Sequence, residues 1–76
     1  MVRKRKQLKD IIIYGQPASH LTYEAREGEF VVHAWGIYPS SSVLAGQDCK
    51  QFVDTLDTEE QVNNFYPEAE RSHPLL

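Results

Sequence analysis

The chain contains one cysteine, Cys49, so no disulfide can form within it. Its longest uninterrupted apolar run, residues 11–14, is far shorter than the roughly 18 residues that a membrane-spanning helix needs. The N-terminus also lacks the apolar stretch and small-residue cleavage site of a secretory signal. We therefore expect a soluble cytoplasmic protein that has no disulfide and no membrane contact.

Metal-binding patterns are missing as well. No spacing such as C-x-x-C or H-x-x-x-H occurs among the residues that would have to supply the ligands. These residues are His20, His33, His73 and Cys49. The sequence predicts neither a metal site nor a cofactor.

Catalytic patterns are equally scarce. Nothing near Cys49 supports it as a nucleophile with His33 as its base. The triple serine Ser40, Ser41 and Ser42 lacks the glycines and the lysine of a phosphate-binding loop. A chain of 76 residues also has little volume for an enclosed pocket. We expect a protein that is not an enzyme.

Charge is divided unevenly along the sequence. Five of the eight basic residues fall in the first nine positions, at Arg3, Lys4, Arg5, Lys6 and Lys9. From Asp10 onward, three basic residues oppose all eleven carboxylates, so this part has a formal charge of −8 within a net charge of −3. Such segregation indicates what a protein can attract, although it does not indicate its fold.

The length allows one domain. We predict a flexible basic arm at residues 1–9, a single domain at 10–72 and a loose tail at 73–76. Strand-like runs at 11–14 and 50–56 flank a central hairpin, and a short helix and a short last strand at 68–72 follow. This order, β-ββ-β-α with a final β, predicts an α+β fold: a small, mostly antiparallel sheet of about four strands with one helix packed on one face.

The hairpin is the clearest local prediction. His20–Arg26 and Glu29–Ile37 are strand-length runs joined by two residues, of which Gly28 can take the positive φ of a tight turn. A two-residue turn sets Thr22 opposite His33. It likewise sets His20 opposite Trp35.

Alternation along the hairpin separates a core face from a second face. The core face carries Leu21, Tyr23, Ala25, Phe30, Val32 and Ala34. The second face carries His20, Thr22, Glu24, Arg26, Glu29, Val31, His33 and Trp35.

The run at 50–56 has an imperfect pattern. Strict alternation would put Asp54 on the same face as Phe52 and Leu56, which implies either a bulge or a position at the sheet edge. The helix that follows is expected to begin after Thr58 as N-cap, with Gln61 completing a capping box. Its apolar face consists of Val62, Phe65 and Tyr66.

The second face of the hairpin is the candidate binding surface, because Trp and Arg dominate binding hot spots. The residues proposed for it are Trp35, His33, His20, Glu24 and Arg26. An alternative stays open. In it, Val31, Trp35 and Ile37 are covered by the N-terminal strand, by the loop after the hairpin or by a second subunit, and the face has no other role.

Two functional hypotheses follow. In the first, the protein is a small non-enzymatic module that binds another protein through this face or through the loop at 40–46, with charge complementarity from its acidic body. In the second, the five basic residues of the arm contact nucleic-acid phosphates, and Trp35 or Tyr38 stacks on bases. A homodimer in which the strand at 11–14 pairs across a two-fold axis is compatible with both.

Overall fold

A computed structural model describes residues 5–72 of the chain. Arg3 and Lys4 of the predicted arm lie outside the described residues, as do His73 and the rest of the predicted tail. A 3-10 turn at Leu8–Asp10 precedes the strands and the helix. In chain order these are β1 (Ile12–Ile13), β2 (Gln16–Pro17), β3 (His20–Arg26), β4 (Glu29–Ile37), β5 (Asp48–Leu56), α1 (Glu59–Phe65) and β6 (Ala69–Arg71).

The strands form two sheets. One has four strands in the order β5-β4-β3-β6, and the other is the hairpin of β1 and β2. Strands β5, β4 and β3 are antiparallel to their neighbours, whereas β6 runs parallel to β3. This is possible because α1 lies between β5 and β6, and a parallel pairing needs such a crossover. The α+β class is therefore confirmed.

The sequence-based strand order is wrong for the first strand, because residues 11–14 do not join the main sheet. The chain turns back at Tyr14 and Gly15, which both have positive φ, and pairs at once with β2. Ile13 packs against Gly36 of β4, where an added Cβ would lie 2.9 Å from Cγ2 of Ile13. The β1–β2 hairpin therefore covers one face of the sheet and does not extend its edge.

The predicted β3–β4 hairpin is confirmed together with its register. Thr22 lies opposite His33, and His20 lies opposite Trp35. Both turn residues have positive φ, 45° and 84°, as a two-residue turn that matches the strand twist requires.

Strand β5 contains a bulge and also lies at the sheet edge, so both explanations of its irregular pattern are confirmed. Asp54 pairs with Val32, but the next residue of β4, His33, pairs with Phe52. Val53 is the additional residue between them. As a result Asp54 stays on the core face, while Phe52 lies on the opposite one.

The core lies between the sheet and a layer made of α1 and the β1–β2 hairpin. Leu21, Val32 and Val62 are fully buried there. Thr58 caps the helix as predicted, and its Oγ1 accepts a hydrogen bond of 3.2 Å from the backbone N–H of Gln61. Within residues 5–72 no helix is long and apolar enough to cross a membrane.

Three side-chain hydrogen bonds tie the helical layer to the sheet. Glu59 accepts hydrogen bonds of 2.8 Å from the Tyr23 hydroxyl and from Arg71, and so links α1 to β3 and β6. The hydrogen bond from Tyr23, together with the charge of Arg71, lowers the pKa of the Glu59 carboxyl. The Tyr66 hydroxyl donates to Asp54 over 2.7 Å, which anchors Asp54 on the core side of the bulge.

Candidate functional site

The face of the main sheet opposite α1 and the β1–β2 hairpin is called the open face below. Side chains from all four strands point to it, and the pairing register arranges them in rows across the strands. The first row is His20, Trp35 and Lys50; the second is Glu70, Thr22, His33 and Phe52; the third is Glu24, Val31 and Thr55. Arg26 and Glu29 lie at the end nearest the hairpin turn, and Ile37 and Asp48 lie at the opposite end. Neither α1 nor the β1–β2 hairpin packs on this face.

Trp35 is half-buried and held by its neighbours in the sheet. Its Nε1 donates a 2.9 Å hydrogen bond to Oγ1 of Thr22. The His20 ring stacks on the indole with centroids 5.5 Å apart and an interplanar angle of 6°. Nζ of Lys50 lies 5.5 Å from the indole centroid. Because β3 and β5 flank β4, the two contacts come from opposite sides of Trp35.

His20 is fixed in turn by Ser19. Oγ of Ser19 lies 3.0 Å from the Trp35 carbonyl oxygen and 2.9 Å from Nδ1 of His20. The hydroxyl has one proton, which it donates to the carbonyl, so Nδ1 of His20 is the donor in the second bond. The stacked pair of His20 and Trp35 is therefore held in a defined orientation.

Phe52 is the apolar side chain that the open face offers most freely, since 65% of its surface is exposed. It contacts the His33 ring edge to face, with centroids 6.4 Å apart. His33 is half-buried, and this burial lowers its pKa; the positive charge of Lys50 lowers it further, while Glu24 opposes the shift. Strict alternation in the sequence does not place Phe52 on this face. The signal that could have revealed its position is the irregular pattern of β5, in which strict alternation puts Asp54 on the same face as Phe52.

Phe52, His33 and Val31 border a shallow groove of about 620 Å³ that opens toward Arg26 and Glu29. Two other predicted site residues, Glu24 and Arg26, lie beside it. Their charges are 3.0 Å apart, from Oε1 to Nη2, although without the alignment of a hydrogen bond. The groove thus combines an apolar wall with charged groups of both signs.

The serine loop lies away from this groove. It follows β4 at the end farthest from the hairpin turn, where consecutive turns run to Gly46 with its positive φ of 83°. Oγ of Ser42 accepts a 3.1 Å hydrogen bond from the backbone of Leu44, as in an ordinary serine turn. Ser40 and Ser41 are exposed. The structure therefore does not join the two predicted contact regions into one site.

The described part of the arm contacts the side of the molecule opposite the open face. The backbone N–H of Lys6 donates to the Phe65 carbonyl over 2.8 Å, and that of Leu8 donates to Glu68 over 2.5 Å. The side chains of Arg5, Lys6 and Lys9 are exposed. Flexibility of residues 1–9 stays a prediction, but the described cations are not brought next to Trp35.

Cys49 and His33 lie on opposite faces of the sheet. Cys49 is buried on the core face across from Gly36, whereas His33 points to the open face. Among residues 5–72, no three histidine, cysteine or acidic side chains converge as metal ligands would.

No protein-family model matches the chain, and no curated protein or solved structure is significantly similar to it. The open face must therefore be interpreted from its own chemistry.

Proposed function

We propose that the protein is a small non-enzymatic interaction module that binds another protein through the open face. The observation that carries the proposal is the position of Phe52. This aromatic ring is 65% exposed beside Trp35 and His33, on a face that the helix and the β1–β2 hairpin leave uncovered.

The arrangement has the properties of a binding hot spot. Aromatic and arginine side chains dominate such sites, usually within a polar rim. Trp35 is already held by Thr22, His20 and Lys50, so it would lose little conformational freedom on binding. Covering the exposed part of Phe52 contributes about 1–2 kcal/mol. We therefore assign Phe52 as the anchor and Trp35 as a rigid support beside it.

The open face carries less net charge than the rest of the domain. Arg26 and Lys50 oppose four carboxylates, those of Glu24, Glu29, Asp48 and Glu70, for a formal charge of −2. The remaining residues from Asp10 onward then have a formal charge of −6. In this proposal the acidic surface limits wrong partners, while the aromatic groups supply the affinity.

A photo-crosslinking residue placed at position 52, in the host cell, tests the proposal. The matched control places it at position 43, because Val43 is fully exposed in the serine loop and lies off the open face. We expect a discrete protein adduct from position 52 and none from position 43. Equal adducts from both positions, or none from either, would contradict the assignment of the open face.

Exposed side chains of Arg5, Lys6 and Lys9 favour nucleic-acid binding as a second candidate function. In that case the arm supplies the phosphate contacts, and each contact adds close to one unit of salt dependence. Trp35 is a poor platform for a base because a base stacking on it would compete with His20 and Lys50. Fluorescence anisotropy with labelled oligonucleotides tests this candidate. Nucleic-acid binding through the arm requires that the oligonucleotides bind in a salt-sensitive way and that a chain starting at Asp10 does not bind them.

A further inference from the structure

We infer that the occupant of the open face is the open face of a second copy of the chain, related by a two-fold axis that crosses the strands at the row of Thr22, His33 and Phe52. This inference rests on the proposed function and names its partner. It follows from how the rows of the face meet under that symmetry operation.

A two-fold axis of this kind lies in the interface and runs across the strands. It places the second row against its own copy, so that Phe52 meets Phe52. It exchanges the first and third rows, so that Trp35 meets Val31 and His20 meets Glu24. Aromatic and aliphatic groups thus meet each other, and a histidine meets a carboxylate. The one unfavourable contact is at the edge of the sheet, where Glu70 meets Glu70.

The other in-plane axis, parallel to the strands, gives a poorer match. It exchanges β3 with β5, which sets Phe52 against Thr22 and Lys50 against His20. The exposed ring would then lie on a hydroxyl that already accepts the Trp35 hydrogen bond. Two basic side chains would also be opposed. The axis across the strands is therefore the one that the side chains favour.

Charge argues for the same surface. Two copies of an acidic domain repel wherever their carboxylates meet, and most of the excess negative charge lies off the open face. This face has a formal charge of −2 out of the −8 of residues 10–76, so two copies repel each other less across it than across the acidic remainder.

Size predicts a weak complex. Three strands about 5 Å apart and about seven residues long present roughly 350 Å² of flat area per copy. Even with the relief of the side chains, the total buried surface then lies near or below about 1,200 Å², at the small end of specific interfaces. We expect a reversible dimer with a Kd of about 100 µM, formed by aligned packing of the two sheets.

Sedimentation equilibrium of the full chain tests the inference, with Phe52→Glu as the variant and Val43→Glu as its control. Both substituted side chains are exposed, so neither change disturbs the core. From about 10 µM to about 1 mM, the wild-type mass should rise from 8.8 kDa toward twice that value. Val43→Glu should follow the wild type. Phe52→Glu should weaken the dimer at least tenfold.

Fluorescence of Trp35, the single tryptophan, supplies a second readout on the open face itself. Its emission should shift to shorter wavelength over the same concentration range in the wild type and in Val43→Glu, and not in Phe52→Glu. A chain that stays monomeric up to about 1 mM overturns the inference. A dimer that forms without a change in Trp35 emission and is not weakened by Phe52→Glu uses another surface. That result overturns the inference too.

The photo-crosslinking experiment separates this inference from the proposed function. An adduct of position 52 with a second copy supports both. An adduct with a different protein supports the proposed function and, together with a monomeric wild type, overturns the second copy as its partner. The absence of any adduct specific to position 52 contradicts the proposed function itself.

Discussion

Phe52 lies directly opposite His33 on the open face because one additional residue, Val53, separates it from Asp54. Asp54 is held on the core side by the Tyr66 hydroxyl at 2.7 Å. Residues 52 and 54 of a regular strand would point to the same face, whereas the extra residue lets the aromatic ring and the carboxylate point to opposite faces. The bulge therefore creates the exposed aromatic surface.

Deletion of Val53 should be tolerated. The pairing of Asp54 with Val32 and of Phe52 with His33 can then continue without a bulge, and Phe52 stays on the open face. We expect a loss of about 1 kcal/mol from the packing of the partly buried valine. Urea denaturation measures the loss, and solvent quenching of Trp35 reports whether the open face is retained.

Deletion of Gln51 is the matched control for deletion of Val53. It also removes the bulge, but it places Phe52 opposite Ala34, whose side chain is fully buried on the core face. Overpacking of this site should cost more than about 2 kcal/mol. Equal stability of the two deletion variants would be inconsistent with the register described for β5.

Gly36→Ala should destabilise the fold by about 1–3 kcal/mol, because the new methyl group would lie 2.9 Å from Cγ2 of Ile13. The clash involves atoms at the branch point of Ile13, which a rotamer change does not remove easily. Combining it with Ile13→Ala should recover part of the loss relative to the sum of the two single changes. A double-mutant cycle by urea denaturation measures this coupling, and strict additivity would exclude the contact.

Thr22→Val should release Trp35 from its anchor. The substitution keeps the shape of the side chain but removes the hydroxyl that accepts from Nε1, at an expected cost of about 1 kcal/mol. Trp35 emission should broaden or shift, since the indole loses a fixed partner. Thr55→Val changes the same kind of residue on the same face and should leave the emission unaltered. An identical response to both substitutions would contradict a specific role of Thr22.

His33 should make folding sensitive to mild acid. Burial, assisted by Lys50, lowers the pKa of His33 in the folded chain below its ordinary value of 6.5. The folded state therefore favours neutral His33, and this stabilisation is complete above pH 6.5 and is lost as the pH falls through the lowered value. His33→Gln should remove that part of the pH dependence.

The role of Lys50 can be checked at the same residue. Lys50→Gln should raise the pKa of His33 toward 6.5, whereas Lys50→Arg keeps the charge and should leave it low. Titration of the imidazole signals by NMR measures both variants. A pKa that does not respond to Lys50→Gln would show that burial alone accounts for the shift.

The hairpin could be predicted in detail because its information is local. Two residues that include Gly28 specify a tight turn, and this turn determines every cross-strand pair from Thr22 to Trp35. The position of residues 11–14 in the fold does not depend on local information alone. Their pattern indicates a strand, but Tyr14 and Gly15 reverse the chain, and Ile13 then fits the space above Gly36, far away in sequence.

The candidate site was predictable only in part for the same reason. Alternation placed Trp35 and His33 on the second face correctly, because nothing interrupts β4. The irregular alternation around Asp54 indicated a bulge or an edge position for β5, but it did not indicate which residue would be the additional one. That choice depends on Tyr66, which comes twelve residues later in the chain and reaches Asp54 only after α1 has packed on the sheet.

The most direct test of the account is the environment of the Phe52 ring in dilute, monomeric protein, measured by NMR through nuclear Overhauser contacts. The account predicts contacts between the ring protons of Phe52 and those of His33, together with ready access to a paramagnetic solvent probe. Contacts of Phe52 with the buried Ala34 or Val62, and protection from the probe, would place the ring in the core and contradict the open aromatic face.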